Sequence, residues 1–390
     1  MPAGVAVLER AGLAEAVGGV PFYGVRYHTK NLTVEGSFPS VHGMPTAGRG
    51  QRRKHLDEVL FRTATATQGV TTYTSTRVDE LLREHGRVVG VVADGEPRRA
   101  ELVVAADGMH SRTRHLLGFD TPLQRKRFAV RTHFRLAQGQ KQPPWVDVFL
   151  ASGYELYVTP LPDGEVLVAG LADAGVLAQP IANTFSRWWN AQPLLAARLE
   201  GARQVSSLEC IAPLAGRAKC GVAPGIILLG DAAGFLDPIT GGGMAHALMT
   251  AELLADRILQ PTTSRDDWIW DFEHERRTLL RDYRLLTQAL LWLVVHPRLG
   301  ARILSLLCLS PSLLSHFAGV AGGVRRLFSF SEDTSLSRQS VGVMDNGRFL
   351  PVDFRGTELA EVSSRDAGRH FESSLRADQT LRLQEIRRHP

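Results

Sequence analysis

The chain has 390 residues, 44% of them hydrophobic, which is enough for a packed core in two domains or one elaborate one. Its 45 Lys and Arg against 40 Asp and Glu leave a surplus too small and too scattered for a nucleic-acid surface. Cys210, Cys220 and Cys308 lack disulfide or metal-ligand spacing, so no metal site is expected. Without a secretory signal at its start, the sequence predicts a cytoplasmic protein.

The first third of the chain alternates predicted helices and strands. Apolar spacing predicts a helix over residues 2–17, two strands within 24–38, a loop over 43–51 and a second helix just after Arg53. Residues 70–106 predict a strand meander with Asp94-Gly95 as a hairpin turn. Its last strand, 102–105, ends at Asp107-Gly108, and Ser111 is predicted to cap a short helix.

The middle of the chain predicts an antiparallel sheet. Alternating apolar residues indicate strands over 128–136, 145–150, 155–159 and 165–171, separated by turn residues such as Pro162-Asp163-Gly164. A helix is predicted over 184–199. Its Trp188 and Trp189 are interpreted as packing residues rather than as ligand contacts.

Residues 225–256 carry the strongest chemical signal. An apolar run over 226–229 is typical of a buried parallel strand, and it ends at Gly230-Asp231. Pro238 and Gly241, Gly242 and Gly243 precede a predicted helix over 244–255. Ligands of open α/β sheets bind where such strands end, so Asp231 is placed to accept bonds from ligand hydroxyls. The glycines would admit a ligand to the backbone, and the helix amino terminus would face an electron-rich ligand atom.

This stretch resembles the second FAD motif of the FAD-dependent oxidoreductases that include aromatic hydroxylases, flavin-dependent halogenases and geranylgeranyl-reductase-like enzymes. Residues 107–114 are similar to the family's DGxxSxxR motif, and Arg53 stands where the family has an arginine near the FAD pyrophosphate or flavin edge. The resemblance implies that FAD is the cofactor and NAD(P)H the electron donor. The cofactor-binding residues that it implies are Arg53, Asp107, Gly108, Gly230, Asp231, Pro238, Gly241, Gly242 and Gly243.

The fold class that the resemblance implies is α/β (α+β). An FAD/NAD(P)-binding Rossmann-like domain is expected over 1–121 and 213–260, an antiparallel substrate-binding domain over 122–212 and a helical region over 261–330. The composition of 331–390 predicts a partly disordered tail. No GxGxxG fingerprint follows a strand anywhere in the chain, so we expect it to start about forty residues late relative to the family and to bind FAD poorly.

A long apolar region follows the second FAD motif. Within it, residues 303–324 carry no Lys, Arg, Asp or Glu, and their length is near what a bilayer span needs. Pro311, several serines and His316 lower the hydrophobicity, which favours a buried or interfacial helical hairpin. A hydrophobic small-molecule substrate and peripheral membrane contact through 285–324 are therefore expected.

The chemistry expected from the resemblance is redox chemistry carried by a flavin, with no catalytic side chain assigned. A monooxygenase acting on a hydrophobic small molecule is the first expectation. The alternatives are a geranylgeranyl-reductase-like enzyme that reduces a polyprenyl or lipid alkene, and a truncated, non-catalytic relative that does not hold FAD. Halogenation is not favoured, because Trp268-Ile269-Trp270 is the only Trp-x-Trp and lies after the second FAD motif.

Overall fold

The computed structural model describes residues 1–30, 32–122, 127–176, 180–212, 214, 216–260, 266–308, 310–328, 342–345 and 348–351. Residues up to Pro351 form one compact unit of mixed helix and sheet. The helices are α1 (Pro2–Arg10), α2 (Ala14–Val17), α3 (Arg53–Ala66), α4 (Arg112–Leu116), α5 (Ile181–Asn190), α6 (Pro193–Arg198), α7 (Gly243–Ile258), α8 (Asp267–Leu279), α9 (Arg281–Val295), α10 (Pro297–Cys308) and α11 (Pro311–Ala321).

The strands alternate with these helices along the chain. They are β1 (Val20–Phe22), β2 (Gly24–His28), β3 (Leu32–Ser37), β4 (Gly48–Gly50), β5 (Val78–Glu84), β6 (Arg87–Ala93), β7 (Glu96–Arg99), β8 (Val103–Ala105), β9 (Asp120–Thr121), β10 (Arg127–Arg135), β11 (Val146–Ala151), β12 (Tyr154–Pro160), β13 (Glu165–Asp173), β14 (Arg203–Gln204), β15 (Glu209–Ile211), β16 (Arg217–Ala218), β17 (Val222–Ala223), β18 (Ile226–Leu228), β19 (Gly342–Asp345) and β20 (Arg348–Pro351).

A large sheet, which we call the roof sheet, contains the predicted antiparallel strands. Its order is β14-β10-β13-β12-β11-β2-β3-β19-β20, with β15 also paired to β10. Side chains alternate between the two faces of each strand, so every second residue points to the same face. Leu156, Val158 and Val168 lie on the face that packs against α5 and α6. Trp188 is buried in this core and stacks on Tyr154 at 4.7 Å between ring centroids, which confirms its packing role.

A small parallel pair of strands positions the two motif loops. Strand β18 runs parallel to β8, with Ile226 opposite Val103 and Leu228 opposite Ala105, as the apolar run at 226–229 predicts. Both strands therefore end at the same edge, and the loops after Ala105 and Leu228 lie side by side. Ile226, Ile227 and Leu228 are fully buried, which explains their lack of polar alternation.

Several predicted boundaries are corrected by the structure. The helix predicted over 2–17 breaks at Gly12, whose positive φ of 71° ends α1. The helix predicted over 184–199 restarts at Pro193 as α6. The loop predicted over 43–51 contains β4, because its glycines serve close packing: a Cβ on Gly50 would lie 1.9 Å from the Pro160 oxygen.

Domain and tail predictions differ from the pairing of the strands. Strands β2 and β3, inside the predicted cofactor segment 1–121, belong to the roof sheet, since β2 pairs with β11. The tail predicted from residue 331 contains β19, which pairs with β3, and β20. The rest of that tail lies outside the described residues.

The predicted helical region consists of α8 to α11. Residues 303–324 do not form one helix, because α10 ends at Cys308 and Pro311 starts α11. Helix α11 packs on the roof sheet, where Leu314 lies against Gly36 of β3. Within the described part of the chain, no helix has the length and apolar character that crossing a membrane requires.

Candidate functional site

The loop after β18 presents Asp231 at the edge of the parallel pair. Gly230 has a φ of 55° and begins a turn over Gly230–Ala233, which carries the Asp231 carboxylate away from the buried strand. That carboxylate is half-buried and has no hydrogen-bond partner among the described residues. Burial raises its pKa, and the positive charge of Arg53 acts against that rise. A half-buried acceptor without a protein donor is suited to ligand hydroxyls.

The loop from Asp237 to Gly243 connects this turn with α7. The Asp237 carboxylate accepts a bond of 3.0 Å from the backbone N–H of Ile239 and so shapes the turn that begins at Pro238. Gly241 has a φ of 67°, which glycine adopts without strain. A Cβ on Gly242 would lie 2.5 Å from Cε1 of His246. At Gly243 the nearest atom to an added Cβ is 3.7 Å away, so packing alone does not require glycine there.

The amino terminus of α7 follows directly and has no side-chain cap. The first N–H groups of an α-helix have no partner inside the helix, and its dipole places partial positive charge there. Helix α7 has 16 residues, enough for a developed dipole. An electron-rich ligand atom would therefore be stabilised beside Gly243.

The DG motif after β8 is held by its own hydrogen bonds. Asp107 accepts bonds from Ser111 Oγ at 2.6 Å and from the Thr113 backbone N–H at 2.9 Å. Ser111 accepts a bond from the Arg114 N–H, which confirms its predicted capping of α4. Both Asp107 oxygens are thus engaged in the loop, while Gly108, with a φ of 80°, faces open space. Their role in cofactor binding stays a prediction.

Arg114 joins the two motif loops. Its guanidinium is buried and donates to the carbonyl oxygens of Ala232 at 3.2 Å and Met109 at 2.7 Å. The same group bonds Asp120 at 2.6 Å. One side chain thereby fixes the loop after β8 to the loop after β18.

Arg53 and Arg52 form ion pairs with different partners. Arg53 is half-exposed and pairs with Asp57 one turn later in α3, at 3.0 Å. Arg52 instead donates to Glu165 of β13 at 2.6 Å and so ties α3 to the roof sheet. Arg53 is therefore the member of the pair that remains available to a ligand near Asp231.

A buried charge cluster that the sequence analysis missed connects the roof sheet to the loop at Asp237. Arg127 of β10 donates to Asp237 at 2.7 Å and to Glu155 of β12 at 2.9 Å. Tyr157 Oη donates to Glu155 at 3.0 Å and lies 3.4 Å from the Ile239 oxygen. The one signal in the sequence was Glu155, an acidic residue inside an otherwise apolar strand.

Burial and mutual charge shift the pKa values in this cluster. Burial raises the pKa of Glu155, although Arg127 acts against that rise. Burial and the neighbouring Glu155 raise the pKa of Tyr157 well above its usual range, so its hydroxyl stays protonated at neutral pH. Tyr157 is half-buried, on the roof-sheet face opposite the core. The cluster thus keeps the Tyr157 hydroxyl in its neutral form, in which it donates a hydrogen bond to Glu155.

A cleft lies beside Asp231 and the first turn of α7. It has a volume of about 40 Å³ and is lined by Asp231, Gly243, His246, Thr250, Tyr283 and Arg284, among others. Burial lowers the pKa of His246 to about 4, with the positive charges of the N-terminal amine and Arg284 acting in the same direction. His246 is therefore neutral at physiological pH, with its ring centroid 3.7 Å from that of Tyr283.

Residues 40–257, which include every one of these motif residues, match the family of FAD dependent oxidoreductases. The chain belongs to that family. The match covers the motif loops and much of the roof sheet, so the resemblance seen in the sequence is confirmed. FAD dependence of this oxidoreductase follows from the family.

Curated relatives of the oxidoreductase are named as reductases. A digeranylgeranylglycerophospholipid reductase from Methanothrix thermoacetophila is 33% identical over 224 residues, covering 55% of each protein. The protein of the same name from Methanocella arvoryzae is 28% identical over 220 residues, covering 53% of each. The chain spans about half the length of the curated relatives that it matches.

Solved structures with the same fold are flavoproteins. A flavoprotein/dehydrogenase from Cytophaga hutchinsonii has a TM-score of 0.68 at 16% identity, covering 83% of this chain and 82% of that one. The flavin-dependent brominase Bmp2 has a TM-score of 0.65 at 18% identity, covering 82% of each chain. At these identities the likeness shows the fold alone, which is the Rossmann-like flavoprotein fold that the sequence analysis expects.

The residues present fit an FAD group on three observations. Asp231 offers an acceptor that the described part of the protein leaves unbonded, α7 offers an uncapped amino terminus, and Gly243 leaves room beside it. Arg53 adds a positive charge suited to phosphate or to an anionic flavin edge. The individual cofactor contacts of these residues stay predictions.

Proposed function

We propose that this oxidoreductase reduces carbon–carbon double bonds of a polyprenyl or other isoprenoid lipid, with NAD(P)H as the source of electrons. The curated relatives named as reductases support this choice over hydroxylation. The structural observation that carries it is the half-buried Tyr157 hydroxyl, which lies 3.4 Å from the Ile239 oxygen in the loop after Pro238 and is oriented by Glu155. Saturating an alkene requires both a hydride equivalent and a proton, and the Tyr157 hydroxyl carries a proton close to the loop at Pro238.

The chemistry of the reduction divides between cofactor and protein. When bound, reduced FAD would supply the hydride equivalent that the alkene needs, and Asp231, Arg53 and the amino terminus of α7 would hold it. The other alkene carbon would take the proton of Tyr157 Oη, water would then return a proton to that oxygen, and Glu155 orients the hydroxyl by accepting its hydrogen bond. Arg127 keeps Glu155 in place from its other side.

The deciding experiment follows the atoms gained by the substrate. The purified chain with FAD is reduced anaerobically and mixed with a geranylgeranyl lipid, and the products are analysed by mass spectrometry. The reductase is expected to add two hydrogens per double bond without oxygen. A product that gains an oxygen atom, and forms only in air, would instead establish the hydroxylase that the sequence analysis expected first.

The rival from another class is a relative that keeps the fold without holding FAD. It is distinguished by the colour of the preparation, since a bound flavin gives a yellow protein with flavin absorption bands. A Tyr157→Phe variant adds a second test: it is expected to bind flavin like the parent but to turn over slowly. Tyr154→Phe is its control, because the Tyr154 hydroxyl bonds only the core-side Trp188 oxygen and Gln192 amide among the described residues.

A further inference from the structure

Exposed apolar side chains are concentrated at the end of α9 and along α10. Of the 18 large hydrophobic residues exposed in the described part of the chain, five lie between residues 292 and 306. Trp292 is 51% exposed and Leu306 63% exposed. We call this surface the apolar patch; its members are Trp292, Val294, Val295, Leu299 and Leu306. Such a concentration is unusual for a surface that faces only water.

The segment that carries the apolar patch is strongly basic. Residues 281–328 contain six arginines and one aspartate, Asp282, with no Lys or Glu, a net charge of +5 that equals that of the whole chain. Arg302 is exposed and lies between Leu299 and Leu306 on α10. A protein interface would bury this guanidinium at a cost, whereas a lipid surface lets it reach the head groups while the apolar side chains enter the acyl region.

Helix α9 connects the apolar patch to the loop from Asp237 to Gly243. Near its start, Thr287 lies within hydrogen-bond distance, 3.3 Å, of Thr240 in that loop, and Tyr283 contacts His246 of α7. Thr287 and Val295 are eight residues apart, which is about 12 Å along an α-helix. A surface docked at the patch would therefore lie one short helix away from the candidate site.

We propose that the apolar patch docks onto a bilayer containing anionic lipids, with α9 and α10 lying in the head-group region. Exposed Arg302 supplies attraction to anionic head groups, and Trp292 supplies the interfacial anchor that aromatic rings provide in membranes. This inference deepens the proposed function, on which it rests only in taking the bilayer as the source of the substrate.

The test measures flotation of the full chain with two kinds of vesicle, phosphatidylcholine alone and phosphatidylcholine mixed with phosphatidylglycerol. Binding to the mixed vesicles is expected, falling as salt is raised, because screening weakens attraction between exposed charges. Trp292→Ser is expected to weaken binding about tenfold, since burial of a large aromatic side chain is lost. Arg302→Glu is expected to weaken binding to the mixed vesicles more than to the neutral ones.

The controls use matched positions elsewhere. Trp270 of α8 is 49% exposed, so Trp270→Ser removes an equally exposed tryptophan outside the patch and should leave binding unchanged. Arg62→Glu makes the same charge change on α3 and should have a smaller effect than Arg302→Glu. Circular dichroism melts of the variants check that each is folded.

Three outcomes overturn the proposal. These are equal flotation of parent and Trp292→Ser, equal binding to both kinds of vesicle at low salt, and a dimer mass in light scattering that Trp292→Ser abolishes while vesicle binding is absent. The last outcome would make the patch an interface between copies of the chain. No substrate is present in this assay, so a failure of docking is distinct from a failure of lipid reduction.

Discussion

Arg127 is held by two buried carboxylates, and its removal would take a positive charge away from each of them. Arg127→Met is expected to lower the free energy of unfolding by about 3–5 kcal/mol, the usual cost of breaking a buried ion pair by removing one partner. Urea denaturation measures this loss. Arg131→Met, on the same strand but in an exposed pair with Glu209, should cost less than about 1 kcal/mol. Similar losses in the two variants would contradict the role of the cluster.

Arg53 and Arg62 form a matched pair for testing cofactor contact. Each is an exposed arginine of α3 paired with an acid four residues away. If Arg53 bonds the cofactor, Arg53→Ala should raise the FAD dissociation constant about tenfold or more, the scale of a hydrogen bond between charged groups. Arg62→Ala should leave it unchanged. Fluorescence titration with FAD measures both, and an unchanged constant for Arg53→Ala would remove Arg53 from the site.

Residues inside a contiguous motif were predictable, whereas residues assembled from distant strands were not. Asp231 was identified because a strand end, a glycine turn and a helix follow each other in one stretch. Arg127 meets Glu155 and Asp237 across 28 and 110 residues, and no spacing rule in a single sequence brings these three together. A charged residue inside an apolar strand, such as Glu155, is the sequence signal that indicates a buried charge cluster.

Two neighbouring glycines at the start of α7, Gly242 and Gly243, allow the effect of packing to be tested separately from the effect of ligand binding. Gly242→Ala should destabilise the protein by about 1–3 kcal/mol, because the added methyl meets His246 and Tyr283 at 2.5 and 2.8 Å. Gly243→Ala should leave stability unchanged or slightly raised, since alanine favours helices. If the flavin lies at this helix terminus, Gly243→Ala should nevertheless weaken FAD binding. Thermal melts and FAD titration of both variants decide this, and normal FAD binding by Gly243→Ala would place the flavin elsewhere.

The first turn of α7 should also make stability depend on pH. The unfolded chain protonates His246 near its ordinary pKa of 6.5, whereas the folded protein does so near 4. The unfolded state therefore binds more protons between these values, so stability is full above pH 6.5 and falls by roughly 3 kcal/mol as the pH drops to 4. Comparing unfolding free energies of the parent and His246→Asn across this range measures the effect; parallel curves would disprove it.

Most elements were predictable because their apolar periodicity is strong, while their ends were set by tertiary contacts. The four strands of the central meander, β10 to β13, lie within one or two residues of their predicted bounds. The strand β4 was missed because Gly48 and Gly50 read as a loop, although both pack too closely for a side chain. The strand and turn propensities of single residues carry no information about which distant segments of backbone pack closely together.

At the scale of the molecule, cofactor binding should stabilise the whole compact unit. The candidate cofactor residues come from α3, from the loops after β8 and β18, and from α7, so a ligand bonded to them links several layers. FAD at about a hundredfold excess over its dissociation constant should add about 2.7 kcal/mol to stability. Melting temperature against FAD concentration checks this. Asp231→Ala should flatten the dependence, and an equal rise in that variant would contradict the assignment of Asp231.

The overall architecture was predictable as a class, and its connections were not. The parallel strand before Asp231 and the antiparallel sheet follow from composition and alternation, as the roof sheet and the β8-β18 pair confirm. Membership of β2 and β3 in the roof sheet depends on the parallel pairing of β2 with β11, more than a hundred residues later. Such pairings depend on which surfaces remain unburied once the rest of the chain has packed.

The pairing of β8 with β18 also sets an order of events during synthesis. Val103 and Ile226 are neighbours in the sheet but 123 residues apart in the chain. At about 5–20 residues per second, a ribosome needs roughly 6–25 seconds to make the second strand after the first. The hairpins of the roof sheet emerge within that interval and can close locally. For those seconds β8 presents an unpaired edge, so slower translation between the two strands should lower the yield of folded protein.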